Sequence, residues 1–264
     1  EFLYQQAPGS AVLLGAQDYD LTTTRVLLIN NLHLYGRGTE STSLSLDETT
    51  TSNSLVVMYA DRDSKAGLTD LTMVSSGFLV ASGSMDHLDD FPLAAASFTP
   101  ESLQDALGDQ QTLHQLETPA RGALTPVVFD GVALSASGAF AVGIFGAIAV
   151  ELEILDSVIA TTDPSATLMA MAQGPVHVAG SSLEGATVIV ASQGNELRVT
   201  DTEIQATSLQ VHAQTGLQII DSTLVAADGN IDIVGNILTQ YASTLAGGPV
   251  TITGSVLRAL DADL

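Results

Sequence analysis

A repeat of about 21 residues in the second half of the chain most constrains what this sequence can fold into. Short runs of alternating apolar residues begin at nearly constant intervals, at Leu168, Val188, Leu209, Ile231 and Val250. Alternation with a period of two is typical of a β-strand with one buried face. Strands that recur at a fixed short period predict a solenoid, in which each coil buries its apolar face against its neighbours.

A second strand and a corner complete the repeat. The first three runs are followed by a glycine, a short strand (176–178, 197–199 and 217–219), a polar corner and one apolar residue. The same frame fits 152–159 and 127–134, less closely 66–73 and 27–34, and it also fits 238–245 without an acid at the corner. The repeat thus extends to both halves of the chain.

The fold predicted from this pattern is all-β: a right-handed parallel β-helix (a β-solenoid with coils of about 21 residues) that carries a short helical insertion. A β-sandwich of hairpins is the rival, but the Asn-Gly and Asp-Gly pairs of tight hairpins are scarce, with "ADGNID" at 227–232 the one good example. We expect the following side chains to point inward: Leu197, Val199, Ile204, Leu217, Ile219, Leu224, Ile231, Ile233, Val250 and Ile252.

Acidic residues recur at one position of the repeat, and we interpret that position as a backbone corner. Its occupants are Asn31, Asp70, Gly131, Asp156, Gly180, Asp201, Asp221 and Ala242. Asn, Asp and Gly all tolerate left-handed backbone, whereas a catalytic carboxylate would not be replaceable by glycine. Stacking would bring Asp201 and Asp221 to about 5 Å, the spacing of the acid pair in retaining glycosidases, but any stacked pair acquires that spacing.

Three regions follow from the pattern: irregular early coils (1–83), a lateral insertion (84–125) and regular coils (126–264). Within the insertion, Thr99 and Pro100 predict a helix start and Gly108 its end, around the apolar residues Leu103, Ala106 and Leu107. The insertion would either cover apolar surface on the flank of the solenoid or shape a groove. Since 256–264 stop in the middle of a coil, we expect a chain that is cut from a longer protein or that stacks end to end with a partner.

Charge and composition exclude several classes of function. A net charge of −23 with 7 Lys and Arg argues against nucleic acid and against an anionic membrane surface as partners. The absence of cysteine excludes disulfides and thiolate metal sites. The uncharged run 132–150 contains three glycines and alternates roughly with period two, so it predicts buried strands and no membrane insertion.

Candidate metal ligands are few. Asp61, Asp63 and Asp70 approach a calcium loop, but Lys65 stands at its third ligand position. The cluster Asp86, His87, Asp89 and Asp90 is typical of a solvated turn, and we expect the remaining histidines (His33, His114, His177 and His212) to be surface residues. The sequence contains neither a Gly-x-Ser-x-Gly motif nor a phosphate-binding loop, so it predicts no catalytic residue and no cofactor.

The coils at 216–236 and 247–259 resemble those of bacterial secreted β-helix proteins, chiefly filamentous-haemagglutinin-like exoproteins and surface adhesins, and more distantly pectate-lyase-like β-helices. The resemblance implies an extracellular or cell-surface structural and adhesive module. Its partners would be other copies, further coils of the same protein or surface glycans. The alternative is a polysaccharide-active lyase or glycosidase with a groove beside 84–125, using Asp86, Asp89 and Asp90 or the pair Asp201 and Asp221.

Overall fold

In the computed structural model, the described part of the chain consists of β-strands, most of which bury every second side chain. The structure describes residues 10–21, 27–28, 32–46, 57–58, 66–75, 78–82, 125–137, 142–146, 150–172, 174–192, 194–234 and 249–259. Every element in these ranges is a β-strand. No segment there forms a helix with the length and apolarity needed to cross a membrane. The helix predicted after Thr99 lies outside the described residues.

Nine strands form the first sheet, and each pairs in parallel with the equivalent strand of the next coil. In order across the sheet they are β1 (Ala11–Leu13), β4 (His33–Tyr35), β7 (Ala66–Thr69), β10 (Thr125–Asp130), β13 (Val150–Leu155), β16 (Val176–Ala179), β18 (Glu196–Thr200), β20 (Gly216–Ile220) and β22 (Val250–Thr253). Because β7 pairs directly with β10, the first sheet continues without interruption from residues 66–69 to residues 125–130.

The second sheet follows the corner of each coil. Its strands are β2 (Asp18–Leu21), β5 (Ser43–Leu46), β8 (Thr72–Ser75), β11 (Ala133–Ala136), β14 (Val158–Thr161), β17 (Ser182–Ser192), β19 (Glu203–Ala213), β21 (Thr223–Val234) and β23 (Val256–Ala259). The long strands β17, β19 and β21 also form a third side of the solenoid with their second halves. There, they pair in one row with β15 (Thr167–Ala172), β12 (Val142–Gly146) and β9 (Phe78–Ser82). Two short strands, β3 (Leu27–Leu28) and β6 (Val57–Met58), pair separately.

The register confirms the parallel β-solenoid and most of the predicted repeat. On the third side, Leu168 pairs with Val188, Val188 with Leu209 and Leu209 with Ile231, and these are the alignments that the repeat predicts. The apolar run 132–150 contributes strands rather than a membrane helix, as predicted. All the pairings between strands are parallel, so the hairpin sandwich is excluded for this part of the chain.

Two predicted alignments are wrong. Val250 pairs with Leu217 of the first sheet and not with Ile231, because fifteen residues separate β21 from β22, whereas two separate β19 from β20. Near the start, Leu34 pairs with Leu68, so 27–34 is out of frame and Gly36 rather than Asn31 lies opposite Asp70. Asn31 and Ala242 themselves lie outside the described residues.

One continuous apolar core fills the interior. Leu197, Val199, Ile204, Leu217, Ile219 and Leu224 are all fully buried, as predicted. Ile231 and Ile233 are partly buried against the same core. The prediction that Val250 and Ile252 of the last coil are buried is wrong, because their side chains are 45% and 42% exposed. They keep the phase of buried residues in β20, but they lie in the last described strand of the first sheet.

Candidate functional site

The corner between the first and second sheets carries the recurrent carboxylates, so it is the first candidate for a functional site. Asp70, Asp156, Asp201 and Asp221 all have positive φ, between 46° and 55°. Gly131, Gly180 and Gly254 occupy the same position with φ of 59° to 64°. These are left-handed conformations, which aspartate and glycine tolerate better than most residues. The structure therefore confirms that this position is a backbone corner.

Each corner is tied to the coil that follows it. The backbone N–H of Asp156 donates to the carbonyl of Ala179 at 2.9 Å, and that of Asp201 donates to Ile220 at 3.0 Å. These bonds extend the parallel ladder of the first sheet through the turn, so the left-handed residue costs the sheet no hydrogen bond.

Where a glycine follows an aspartate at the corner of the next coil, the geometry gives a steric reason that the sequence reasoning missed. The carboxylate of Asp156 lies over Gly180 of the next coil, and a β-carbon added to Gly180 would overlap its Oδ1 atom. The same relation holds for Asp70 over Gly131, where an added β-carbon would lie 2.8 Å from Oδ1, and for Asp221 over Gly254. At these three corners the glycine leaves the space that the preceding carboxylate occupies, whereas Asp201 is followed by Asp221.

A ladder of hydroxyl groups lies one residue after the corner. Its members are the buried Ser157, Ser181, Thr202 and Ser222 and the half-buried Ser255. The Ser181 hydroxyl donates to the carbonyl of Ala179 at 2.8 Å and accepts the backbone N–H of Ser157 at 3.1 Å. Each hydroxyl thus satisfies backbone groups in two coils, which is why a polar side chain is stable inside the turn. The recurring Asp-Ser, Gly-Ser and Asp-Thr pairs were the signal in the sequence.

Asp201 and Asp221, the pair considered for catalysis, occupy adjacent coils because Thr200 pairs with Ile220. Both side chains are exposed. The role that the geometry shows for both residues is to turn the backbone at the corner.

The histidines are only partly as predicted. His177 lies on the outer side of β16, half-buried in a polar row with Glu153 and Arg198 of the neighbouring coils. His33 is buried, against the prediction, because its ring stacks on Tyr35 at 4.2 Å between centroids and bonds the Thr69 hydroxyl at 2.8 Å.

His212 is half-buried on the outer side of β19, next to Ala191 in the register. His114 lies outside the described residues.

The metal predictions fall largely outside the described residues, and Asp61, Asp63, Asp86, His87, Asp89 and Asp90 are in that part of the chain. Asp70 is described and acts as a corner residue. Within the described ranges, no group of three or more His, Asp or Glu side chains could hold a metal ion.

One acid outside the corners is electrostatically perturbed. The hydroxyl and the backbone N–H of Ser165 both donate to Oδ1 of Asp163, at 2.5 and 2.7 Å, and they lower the pKa of this carboxyl below its ordinary value. Asp163 lies in the turn between β14 and β15, where such an Asx turn fixes the backbone.

Comparison with protein-family models, curated proteins and solved structures finds no match.

Proposed function

We propose that this chain is a structural and adhesive β-solenoid module of a bacterial protein that is secreted or displayed at the cell surface. One observation carries the proposal: the recurrent carboxylates occupy left-handed corners, a position that they share with glycine. These carboxylates thus serve to build coils. A stack of such coils is a stiff rod, which suits spacing and adhesion.

Surface charge supports the same role. Glu184, Glu203 and Arg198 project from the outer sides of the strands, and their side chains are exposed. With a net charge of −23, copies of the rod repel one another at their sides, which keeps the lateral faces apart and leaves the ends for assembly. The partners in this proposal are further coils or copies of the chain, and surface glycans at the outer faces.

Glycan contact would fall on the polar row of the first sheet. Glu153, His177, Arg198 and Gln218 follow one another across four consecutive coils in direct register. Neighbouring strands lie about 4.8 Å apart, so the row offers donors and acceptors at a regular spacing. Such a row would hydrogen-bond a polysaccharide without the aromatic stacking that most sugar clefts use.

An activity screen tests this proposal against the polysaccharide-active alternative. The whole chain is incubated with acidic and neutral polysaccharides, once with calcium and once with a chelator, and new reducing or unsaturated ends are measured. We expect no turnover, and retention of some polysaccharide on an affinity gel. Turnover that is lost in Asp201→Asn or Asp221→Asn, but kept in the control Asp163→Asn, would overturn the proposal, because asparagine preserves the left-handed corner.

A further inference from the structure

The outer side of the first sheet carries a stacked aromatic pair on β4. His33 and Tyr35 lie two residues apart on this side, and their rings stack with centroids 4.2 Å apart and planes 16° from parallel. His33 is buried, whereas Tyr35 is 36% exposed. The histidine therefore covers one face of the tyrosine ring, and the exposed part of Tyr35 lies away from the histidine.

Contacts with the neighbouring strand hold the histidine in place. Nε2 of His33 is 2.8 Å from the hydroxyl oxygen of Thr69. Its register partner is Gly67, and a β-carbon added there would lie 3.2 Å from Cε1 of His33 and would overlap the carbonyl of Val128. The absent side chain thus leaves room for the imidazole. A tyrosine stacked on so fixed a base is already ordered, and it loses little conformational entropy when a ligand binds.

An exposed arginine follows the tyrosine on an equally well-fixed backbone. The N–H of Arg37 donates to the hydroxyl of the buried Thr42 at 3.0 Å, and the N–H groups of the glycines on either side of Arg37 donate to carbonyls of the neighbouring coil at 2.8 and 2.9 Å. Since Gly36 has no side chain, nothing at that position shields the tyrosine ring from the side opposite His33. The exposed guanidinium of Arg37 presents its hydrogen-bond donors to solvent close to the ring.

The two neighbouring coils add an apolar side chain and a hydroxyl. Tyr35 pairs in register with Leu13 on one side and with Thr69 on the other, so all three side chains project from the same outer side. Leu13 is 63% exposed, and Thr69 is half-buried. We call Leu13, Tyr35, Arg37 and Thr69 the tyrosine patch. It combines apolar and aromatic surface with a few fixed polar groups, which is the usual composition of a ligand site.

Charge decides which kind of ligand suits the tyrosine patch. Glu40 and Asp70 are exposed close to it in the sequence, and the whole chain carries a net charge of −23, so an anionic ligand would be repelled. A cationic ligand would meet Arg37, and a purely apolar ligand would desolvate that guanidinium without giving it a partner. A neutral sugar avoids these costs, because its ring has an apolar face for Tyr35 and hydroxyl groups that accept from Arg37.

We propose that the tyrosine patch binds a neutral polysaccharide, with one sugar ring stacked on Tyr35 and its hydroxyl groups bonded to Arg37 and Thr69. The proposal rests on the adhesive role proposed above, and it names the chemical class of the glycan and an aromatic contact for it. In direct register, the polar row that starts at Glu153 continues backward through Val128 and Gly67 to the position of His33. The patch and the row therefore share one outer side, along which a polysaccharide runs parallel to the solenoid axis.

Calorimetric titration of the full chain with soluble hexasaccharides tests the tyrosine patch. The neutral ligands are hexamers of glucose, mannose and N-acetylglucosamine, and the acidic one is a hexamer of galacturonic acid. We expect binding of a neutral hexamer, which Tyr35→Ala should weaken at least about tenfold and Arg37→Ala about fivefold. Tyr35→Phe should bind like the wild type, because it keeps the ring. The controls Val158→Ala and Arg258→Ala remove exposed side chains from the outer side of the second sheet and should leave the affinity unchanged.

Three results would overturn the proposal: no binding of any neutral hexamer, tighter binding of the acidic hexamer, or neutral binding that Tyr35→Ala leaves unchanged in a variant whose circular dichroism shows a folded chain. Each of these results leaves the non-catalytic structural role standing. Cleavage of a hexamer would instead overturn that role, whether or not binding depends on Tyr35. The two failures are therefore distinguishable in the same titration, followed by analysis of the sugar products.

Discussion

Replacing Gly180 with alanine tests why glycine follows Asp156 at the corner. Gly180 has φ of 59°, and a left-handed conformation costs alanine about 1–2 kcal/mol. The added β-carbon would also overlap Oδ1 of Asp156. Moving that side chain away from its preferred rotamer costs about 0.5–1.5 kcal/mol more. We therefore expect Gly180→Ala to lower the free energy of unfolding by about 1.5–3.5 kcal/mol.

A double-mutant cycle separates the two contributions. Urea unfolding followed by circular dichroism is measured for Gly180→Ala, for Asp156→Gly and for the double variant. Without the carboxylate, alanine at position 180 should cost only the backbone contribution. Gly38→Ala is the control for backbone cost alone, since Gly38 has φ of 110° and an added β-carbon there meets nothing within 4 Å. An equal cost of Gly180→Ala with and without the Asp156 carboxylate would refute the steric explanation.

Three further predictions follow from the interior and from the turns. Ser181→Ala should destabilise the protein by about 1–3 kcal/mol, because a buried backbone N–H loses its acceptor, and urea unfolding would measure this. Ile219→Asp should cost several kcal/mol and abolish the thermal transition, whereas Gln218→Asp, its exposed neighbour, should change the melting temperature little. The two hydrogen bonds from Ser165 favour the ionised form of Asp163, so they stabilise the fold at neutral pH, and this contribution is lost as pH falls through the lowered pKa. Ser165→Ala should raise the pKa of Asp163 in an NMR titration. An unchanged pKa would contradict the assignment.

The regular coils could be predicted because their pattern is local. Leu197, Leu217 and Ile219 recur at nearly constant spacing, and a period of two identifies the buried face of each strand. The corner could be identified because aspartate and glycine are interchangeable there only for a conformational reason. These features depend on one or two neighbouring coils, which the sequence itself displays.

The remaining features depend on contacts between distant parts of the chain. Val250 pairs with Leu217, 33 residues earlier in the chain, and no periodic pattern in the sequence reveals this longer separation. Likewise, Gly36 takes the corner position opposite Asp70 because Leu34 pairs with Leu68, across a stretch of chain much longer than the regular repeat. His33 is buried because Gly67, its register partner, has no side chain and Thr69 lies within hydrogen-bonding distance, a combination visible only in three dimensions.

Cysteine cross-linking between adjacent coils tests the stacked register most directly, and the chain has no cysteine to interfere. Arg198 and Gln218 are register partners on the outer side of the first sheet. Their α-carbons are therefore about 4.8 Å apart, within the range that a disulfide bridges. We expect the double variant Arg198→Cys and Gln218→Cys to form a disulfide under mild oxidation. The control pair, His177→Cys with Gln218→Cys, is two coils apart and should not. Cross-linking of both pairs to the same extent, or of neither, would contradict the parallel stack of coils.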